Sequence, residues 1–419
     1  MGKFISVLLI YMNSTVQNRQ SEIVRKSKIA AWIVLAMLFL FMNSSIVEAQ
    51  SSFSESYKQF EKIYEQELKN SNIFGSSFMF VKDNKIIAKK FYGMANLEKN
   101  QAVDEETIYH WASITKTLTG IAIMQLRDRG LLKLDDAVVK YLPELRAVHN
   151  PDGDMSEITI RQLMSHTTGF RNPTFPWKDA GKTWQPHEPQ DWEQLVAMFP
   201  YTEIKFKPGS RFSYSNLGIV FLGRIIELLT KDDYEVYIDK NIFKPLEMYR
   251  SYFDATPYHL LKYRSHSYYI KNGKRTPGRF DVNTGITVSN GGLNAPLPDM
   301  VKYLDFLIGD ATKKDIYENV LKRTSLEEMR QPIVESNENA NGNPEQGLKV
   351  GLSFFLDTQR GLIGHSGDQN GFIMYIDFSP KTHCASILAF NTDLQLSDEK
   401  SPLTIIRVAL RKLFENAAK

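Results

Sequence analysis

Four residues, Ser113-Ile114-Thr115-Lys116, have the spacing of a nucleophile and its base. Residues three apart on a helix share a face, so a lysine there reaches the serine hydroxyl. If burial or a neighbouring cation lowers its pKa, the neutral amine can take the serine proton. The same spacing recurs at Ser397-Asp398-Glu399-Lys400, in a polar stretch before Pro402, so the tetrapeptide alone selects neither. Placement favours Ser113. It stands at the start of a helix, where its own backbone N–H is unpaired and the dipole is positive, which suits an oxyanion.

A second stretch, "KPGSRFSYSNLG", sets Tyr214-Ser215-Asn216 between a Pro208-Gly209 turn and a helix beginning near Gly218. A tyrosine beside a lysine can act as a phenolate base and then as an acid toward a leaving group. Tyr-x-Asn also occurs at Tyr11 and Tyr317, so the tripeptide carries little weight alone. A third stretch, "GLIGHSGDQNGF", puts His365, Ser366 and Gly367 at a strand end as candidate substrate-binding residues. Its glycines allow close approach of a substrate backbone. His-x-Gly appears nowhere else in the chain, and the backbone N–H of Asp368 is a candidate second oxyanion donor beside that of Ser113. Taken singly, these motifs also read as a solvated helix start, a turn and a satisfied loop histidine. Their order and context together favour a site.

Other chemistries lack their residues. No His-Glu-x-x-His or paired Cys-x-x-Cys occurs, so no metal is implied. There is no P-loop or Gly-x-Gly-x-x-Gly, and no cofactor is expected. Gly364-His365-Ser366-Gly367-Asp368 misses the Gly-x-Ser-x-Gly elbow by one position and lacks its strand-to-helix setting.

The elements that must hold these residues follow from periodicity. Phe53, Tyr57, Phe60, Tyr64 and Leu68 predict an amphipathic helix ending near Asn70. "SSFMFV" and "IIAKKFY" flank Lys82-Asp83-Asn84-Lys85 as a hairpin, and a helix runs from about Ser113 to Gly130. Asp135-Asp136 reads as capping after Gly130. From about Tyr141 to Gly285 strand patterns are scarce, with helical segments at Ile158–Met164 and Gly218–Thr230. A helix at Asp299–Ile308 precedes an Asn-rich stretch, Ser336–Gly347, expected to be an exposed loop. Strand patterns return at "GLSFFLD", "GFIMYIDF" and "CASILAF", and a helix from Leu403 to Glu415 closes the chain. The expectation is a mixed α/β (α+β) fold: one mostly antiparallel sheet, flanked by helices, assembled from 50–140 and 285–419, with a mainly helical lobe of 141–284 inserted. The cleft between such lobes is a natural site.

Ahead of this lies a run of fourteen apolar residues, Ile29–Met42, preceded by Arg25, Lys26 and Lys28 and followed by Val47-Glu48-Ala49. This pattern makes 1–49 a signal peptide cleaved after Ala49 and the protein secreted or periplasmic. The alternative is an uncleaved membrane anchor reaching through Asn43–Ser45. Met12 or a later methionine is an alternative start. The leader holds five of the 51 basic and two of the 48 acidic residues, leaving 46 of each, so charge gives no reason to expect a nucleic-acid partner. The one cysteine, Cys384, sits in an apolar run and reads as core packing.

From Phe74 to the C-terminal helix the chain resembles the serine β-lactamase and penicillin-binding protein superfamily, in its class C β-lactamase-like branch. That branch also holds D-aminopeptidases, D-Ala-D-Ala carboxypeptidases and esterases. The resemblance rests on "ASITKTLTG", "ITIRQLMSHTTGF", "KPGSRFSYSNLGIVFLGRIIE", "IFKPLEM", "NGGLNAPLPDM" and "GHSGDQNGF" in the family's order. It implies a β-lactamase/transpeptidase-like fold and a hydrolase working through an acyl-enzyme. Ser113 is then the acylated nucleophile, Lys116 its activating partner, Tyr214 the general acid/base and Asn216 a substrate amide contact. His365 stands where many members have the lysine of a Lys-Thr-Gly strand, a motif absent from this chain. A fixed cation there helps hold a substrate carboxylate in true β-lactamases, whereas histidine is mostly neutral near pH 7. The departure tilts the expectation toward a peptidase or esterase acting on an amide, ester or lactam bond of a small-molecule, peptide or cell-wall-derived substrate. A true β-lactamase and a catalytically silent cell-wall peptide-binding homologue are the alternatives. The resemblance makes the loop of His166 structural and leaves that residue outside the site, and Phe175, Trp177 and Trp184 read equally as lobe packing or substrate wall.

Overall fold

The computed structural model describes residues 28, 32, 53–170, 189–271, 273–280, 283–338, 344–394 and 401–417. The leader through residue 49 apart from Lys28 and Trp32, the aromatic residues Phe175, Trp177 and Trp184, and the second Ser-x-x-Lys at 397–400 lie outside them. The chain divides into two compact units, residues 1–60 with 410–419, and residues 61–409. In the first, Phe53 and Tyr57 stack with ring centres 6.5 Å apart, and the Asn416 amide donates to the Ser56 hydroxyl.

The second unit is built on nine strands: β1 Gly75–Lys82, β2 Lys85–Asn96, β3 Gln101–Ala102, β4 Val334–Glu338, β5 Pro344–Val350, β6 Phe355–Asp357, β7 Leu362–Gln369, β8 Phe372–Ser379 and β9 Cys384–Phe390. Their order is β3-β2-β1-β9-β8-β7-β6-β5-β4, and every neighbouring pair is antiparallel. The β1–β2 hairpin turns through Asp83 and Asn84, both at positive φ, as a two-residue turn of this twist requires. β1 then pairs with β9, Ser76 opposite Phe390, so strands from the two ends of the sequence lie side by side as expected. Ser76 and Ser77 are fully buried in β1, with partners in the Ala389 carbonyl, Tyr64 and Tyr109. Cys384 is likewise buried, at the start of β9.

A helix at 53–70 (α1) precedes the sheet. The central helix α2, Thr115–Asp128, is buried at every residue from Thr115 to Leu126 although five of those twelve are polar. Its hydroxyls and amide are satisfied by carbonyls: Thr117 by Ile114, Thr119 by Ser289 and Gln125 by Val320. Gly130 at φ 76 follows its end. Asp135 and Asp136 cap no helix; Asp135 pairs with Arg161, and Asp136 accepts from the Lys133 N–H, Lys140 and Tyr141.

Residues 141–284 hold short helices and 3-10 turns, among them α3, Ile160–Met164, and the longer α4, Asn216–Thr230, with short strands at Tyr252–Phe253, Tyr268–Lys271 and Lys274–Pro277. α5, Leu297–Ile308, lies against the sheet, and α6, Pro402–Ala417, is the last helix. The expected Asn-rich loop at Ser336–Gly347 is corrected in part: it overlaps the edge hairpin of β4 and β5. An edge strand keeps polar residues on its solvent side, so its composition imitates a loop.

Candidate functional site

The turn that carries Ser113 is set from below. The Trp111 N–H donates to the Leu293 carbonyl and its indole N–H to the Ala295 carbonyl, fixing the chain before a 3-10 turn at Ala112–Ile114. Ala112 holds φ 46, a left-handed conformation uncommon outside glycine, so Ser113 follows a locally strained residue. The α-helix proper starts two residues after Ser113, at Thr115. Its second residue, Lys116, places Nζ 2.9 Å from the Ser113 Oγ.

Lys116 has no solvent exposure. Its Nζ donates to the Asn290 carbonyl at 2.8 Å and lies 5.1 Å from the centre of the Tyr214 ring. No carboxylate pairs with it among the described residues, and burial pushes its pKa well below the usual lysine value. A neutral amine still has two protons; one meets the Asn290 oxygen while the lone pair is free to face the serine hydroxyl.

Tyr214 stands just before α4. Ser215 caps that helix, its hydroxyl accepting the Gly218 N–H, and Asn216 is the first helical residue, two positions earlier than the periodicity indicates. Tyr214 is buried, and its hydroxyl has no hydrogen-bond partner of ordinary geometry among the described residues. Burial holds its pKa well above the usual phenol value, with the proximity of Ser113 a smaller opposing influence.

The structure also places His166, left out on sequence grounds, directly against this tyrosine. The His166 carbonyl accepts the Ser213 N–H at 2.9 Å, and its Nδ1 accepts the Ser215 N–H at 3.2 Å. The imidazole packs on the Tyr214 ring with centres 4.6 Å apart. Burial, then the neighbouring Lys116 and His365, keeps His166 neutral, far below its usual pKa. Asn290 is the other missed contact. Its Gly291-Gly292 neighbours lie within a family-like stretch, yet nothing in the sequence joins its carbonyl to Lys116.

β7 supplies the third side. β6 stops opposite Gly364, so residues 365–369 have a strand neighbour on one edge only, β8. Asn370 and Gly371, both at positive φ, close a two-residue hairpin in which Gln369 and Phe372 form the flanking pair. Alternation from that pair turns the backbone N–H and C=O of Ser366 and Asp368 toward the open edge. That edge faces the nucleophile turn: a Cβ on Gly367 would come within 2.3 Å of the Trp111 carbonyl oxygen. Ser366 is buried. His365 is buried too, its Nδ1 2.6 Å from the Ser366 carbonyl oxygen, and burial plus Lys116 brings its pKa down to about 3.

Ser113, Lys116, Tyr214 and His365 are thus brought together from three separate stretches, with Gly367 and the Asp368 backbone beside them and Asn216 two residues on from Tyr214. The arrangement offers a hydroxyl, an amine of lowered pKa at hydrogen-bond distance, a phenol of raised pKa, and N–H groups from a helix start and a strand edge. Among the described residues no group of three or more His, Cys, Asp or Glu side chains converges as metal ligands would.

Comparison with known proteins bears on the family and the fold. The family model described as beta-lactamase matches residues 60–411. Protein flp of Staphylococcus aureus (strain COL) is 28% identical over 338 residues, 81% of this chain and 64% of flp, so the chain spans about 64% of that relative's length. The octameric penicillin-binding protein homologue from Pyrococcus abyssi superposes with a TM-score of 0.69 at 27% identity, covering 84% of this chain and 77% of that one. A class C beta-lactamase in complex with cefoxitin shares the fold, with a TM-score of 0.68 at 20% identity over 85% and 99% of the two chains. With more than half its length matched, the chain belongs to the beta-lactamase family, within the superfamily of serine beta-lactamase-like hydrolases.

Proposed function

We propose that the protein is an active serine hydrolase, peptidase- or esterase-like, that transfers an acyl group from an amide, ester or lactam to Ser113 and then to water. The observation that carries the reading is the buried Lys116 amine 2.9 Å from the Ser113 hydroxyl, its pKa pushed well down by burial and no carboxylate paired with it among the described residues.

In the first half-reaction the Ser113 Oγ attacks the substrate carbonyl as its proton passes to the Lys116 lone pair. The new oxyanion is met by the N–H groups of Ser113 and Asp368. Tyr214, protonated at rest because it is buried, gives its proton to the leaving nitrogen or oxygen, and the nearby ammonium of Lys116 restores it. The bond from acyl carbon to leaving group breaks and an ester on Ser113 remains. In the second half, water attacks this ester, loses its proton to the same pair of groups, and the Ser113 Oγ leaves with a proton. General acid–base transfer of this kind contributes about 10²- to 10⁴-fold.

Asn216 is assigned to a substrate amide, by the resemblance of its motif. We also propose export by the leader, with cell-wall-derived peptides or esters among the substrates. The alternative of a true β-lactamase lacks support from any charged group in the place of His365. Turnover of chromogenic esters, D-amino-acid peptides and a chromogenic cephalosporin tests the reading. Hydrolysis in the first two classes, lost in Ser113→Ala, is the expected result, and equal residual turnover by both proteins opposes it.

A further inference from the structure

Beside Tyr214 the wall of the site is mostly apolar, and the rings of His166 and His365 are what bring nitrogens to it. Phe355 meets His365 edge-on at 5.4 Å, Phe212 meets Phe355 at 6.0 Å, and Leu348 and Val350 complete the cluster. His365 itself is 5% exposed. Its Nδ1 is bonded to the Ser366 carbonyl, an oxygen with no proton to give, so the neutral ring carries its proton on Nδ1. Nε2 is then a bare lone pair. It is buried and makes no hydrogen bond among the described residues. The ring lies 6.3 Å from that of Tyr214, the group aimed at the leaving atom, which sets His365 on the leaving-group side.

We propose that His365 Nε2 accepts a hydrogen bond from an uncharged donor on the leaving group, an amide N–H or a hydroxyl, making the protein selective for neutral esters and amides over those ending in a carboxylate. The inference rests on Ser113 acting as the nucleophile proposed above. A neutral donor satisfies both itself and the orphaned nitrogen. A carboxylate in the same place meets a lone pair among phenylalanines, which does nothing to offset its desolvation. A lysine here would reverse the preference, because its ammonium offers protons and charge where the imidazole offers an electron pair.

Two thioesters of benzoylglycine, with mercaptoacetamide and with mercaptoacetate, isolate this difference. In both, the acyl–sulfur bond breaks, the acyl–oxygen bond to Ser113 forms and the thiol leaves with a proton; only the neutral amide or the carboxylate differs. The kcat/KM for the mercaptoacetamide ester is expected to exceed the other by about tenfold or more. His365→Gln, which also presents an acceptor, keeps that preference at a lower rate, and His365→Lys inverts it. Where the lysine variant fails to fold, the wild-type pair of rates decides. Equal rates, a preference for the carboxylate, or silence toward both esters by protein whose Ser113 reacts with a fluorophosphonate would each overturn the proposal. Failure of the fluorophosphonate to label Ser113 would instead remove the nucleophile itself, and this proposal with it.

Discussion

His166 grips the chain on both sides of Tyr214. Its carbonyl takes the N–H of the residue before and its Nδ1 the N–H of the residue after, while its ring lies against the phenol. The phenol proposed to protonate the leaving group is thereby held through its two chain neighbours, by one backbone and one side-chain acceptor of His166. His166 adopts φ 56, a conformation asparagine tolerates better than most residues.

Removing this grip is expected to displace Tyr214 with Ser113 and Lys116 intact. Since a misplacement of about 1 Å can reduce rates ~10²-fold, His166→Ala should lower kcat/KM by that order. His166→Asn, which fits the backbone and offers an acceptor to Ser215, should recover part of it. Fluorophosphonate labelling, whose fluoride needs no proton from Tyr214, should fall less than ester turnover; equal losses in both would mean a general disturbance of the fold.

Lys116→Ala should suppress acylation by about 10²- to 10⁴-fold, since it removes the serine's proton acceptor. Lys116→Arg should do no better, because a guanidinium stays protonated and has no lone pair to offer. Burst labelling at the wild-type rate in either variant would contradict the role given to this residue.

The approach of β7 to the nucleophile turn depends on the missing side chain of Gly367. Gly367→Ala puts a methyl group against the Trp111 carbonyl and should push the Asp368 N–H away from the oxyanion. A loss of about 10²- to 10³-fold in kcat, the usual effect of removing one such donor, is expected with little change in KM. An unaltered kcat would show that the Asp368 N–H takes no part.

His365 ties stability to pH. Its folded pKa, about 3, lies below the 6.5 of the free side chain, so between those values the unfolded chain binds a proton that the native ring refuses. Its neutral state therefore favours folding fully above pH 6.5, and that contribution declines as the pH falls toward 3. His365→Gln should flatten the fall of Tm over this window. A variant as acid-sensitive as the wild type would place the proton uptake elsewhere, at the buried His110, brought down to about 4, or at His166.

What was legible in the sequence was local. Ser113 and Lys116 are three apart on one helix start, and the hairpin through Asp83 and Asn84 announces itself by turn residues. The Asp368 N–H is a candidate because it follows Gly367 in a Gly-rich stretch at a strand end. The helix starts at Asn216, two residues ahead of the apolar periodicity, because its N-cap Ser215 and first residue Asn216 are polar and lie before the periodic run. The Asn290 carbonyl and the His166 ring were not legible. The first acts through a backbone oxygen 174 residues from the lysine it holds, and any residue type has that oxygen. The second lies 49 residues from the N–H it accepts, and only folding brings it beneath Tyr214. β4, at the sheet edge, and β5 beside it were hidden for another reason: their segment is rich in Asn and Glu, a composition it shares with exposed loops.

The most direct test is intact-mass analysis of the protein after incubation with a fluorophosphonate and, separately, with a penicillin, using Ser113→Ala as control. A stoichiometric fluorophosphonate adduct on the wild type alone is expected, with the penicillin adduct weaker or absent. No adduct from either reagent, or an adduct that persists in Ser113→Ala, would contradict the assignment of Ser113 as the nucleophile.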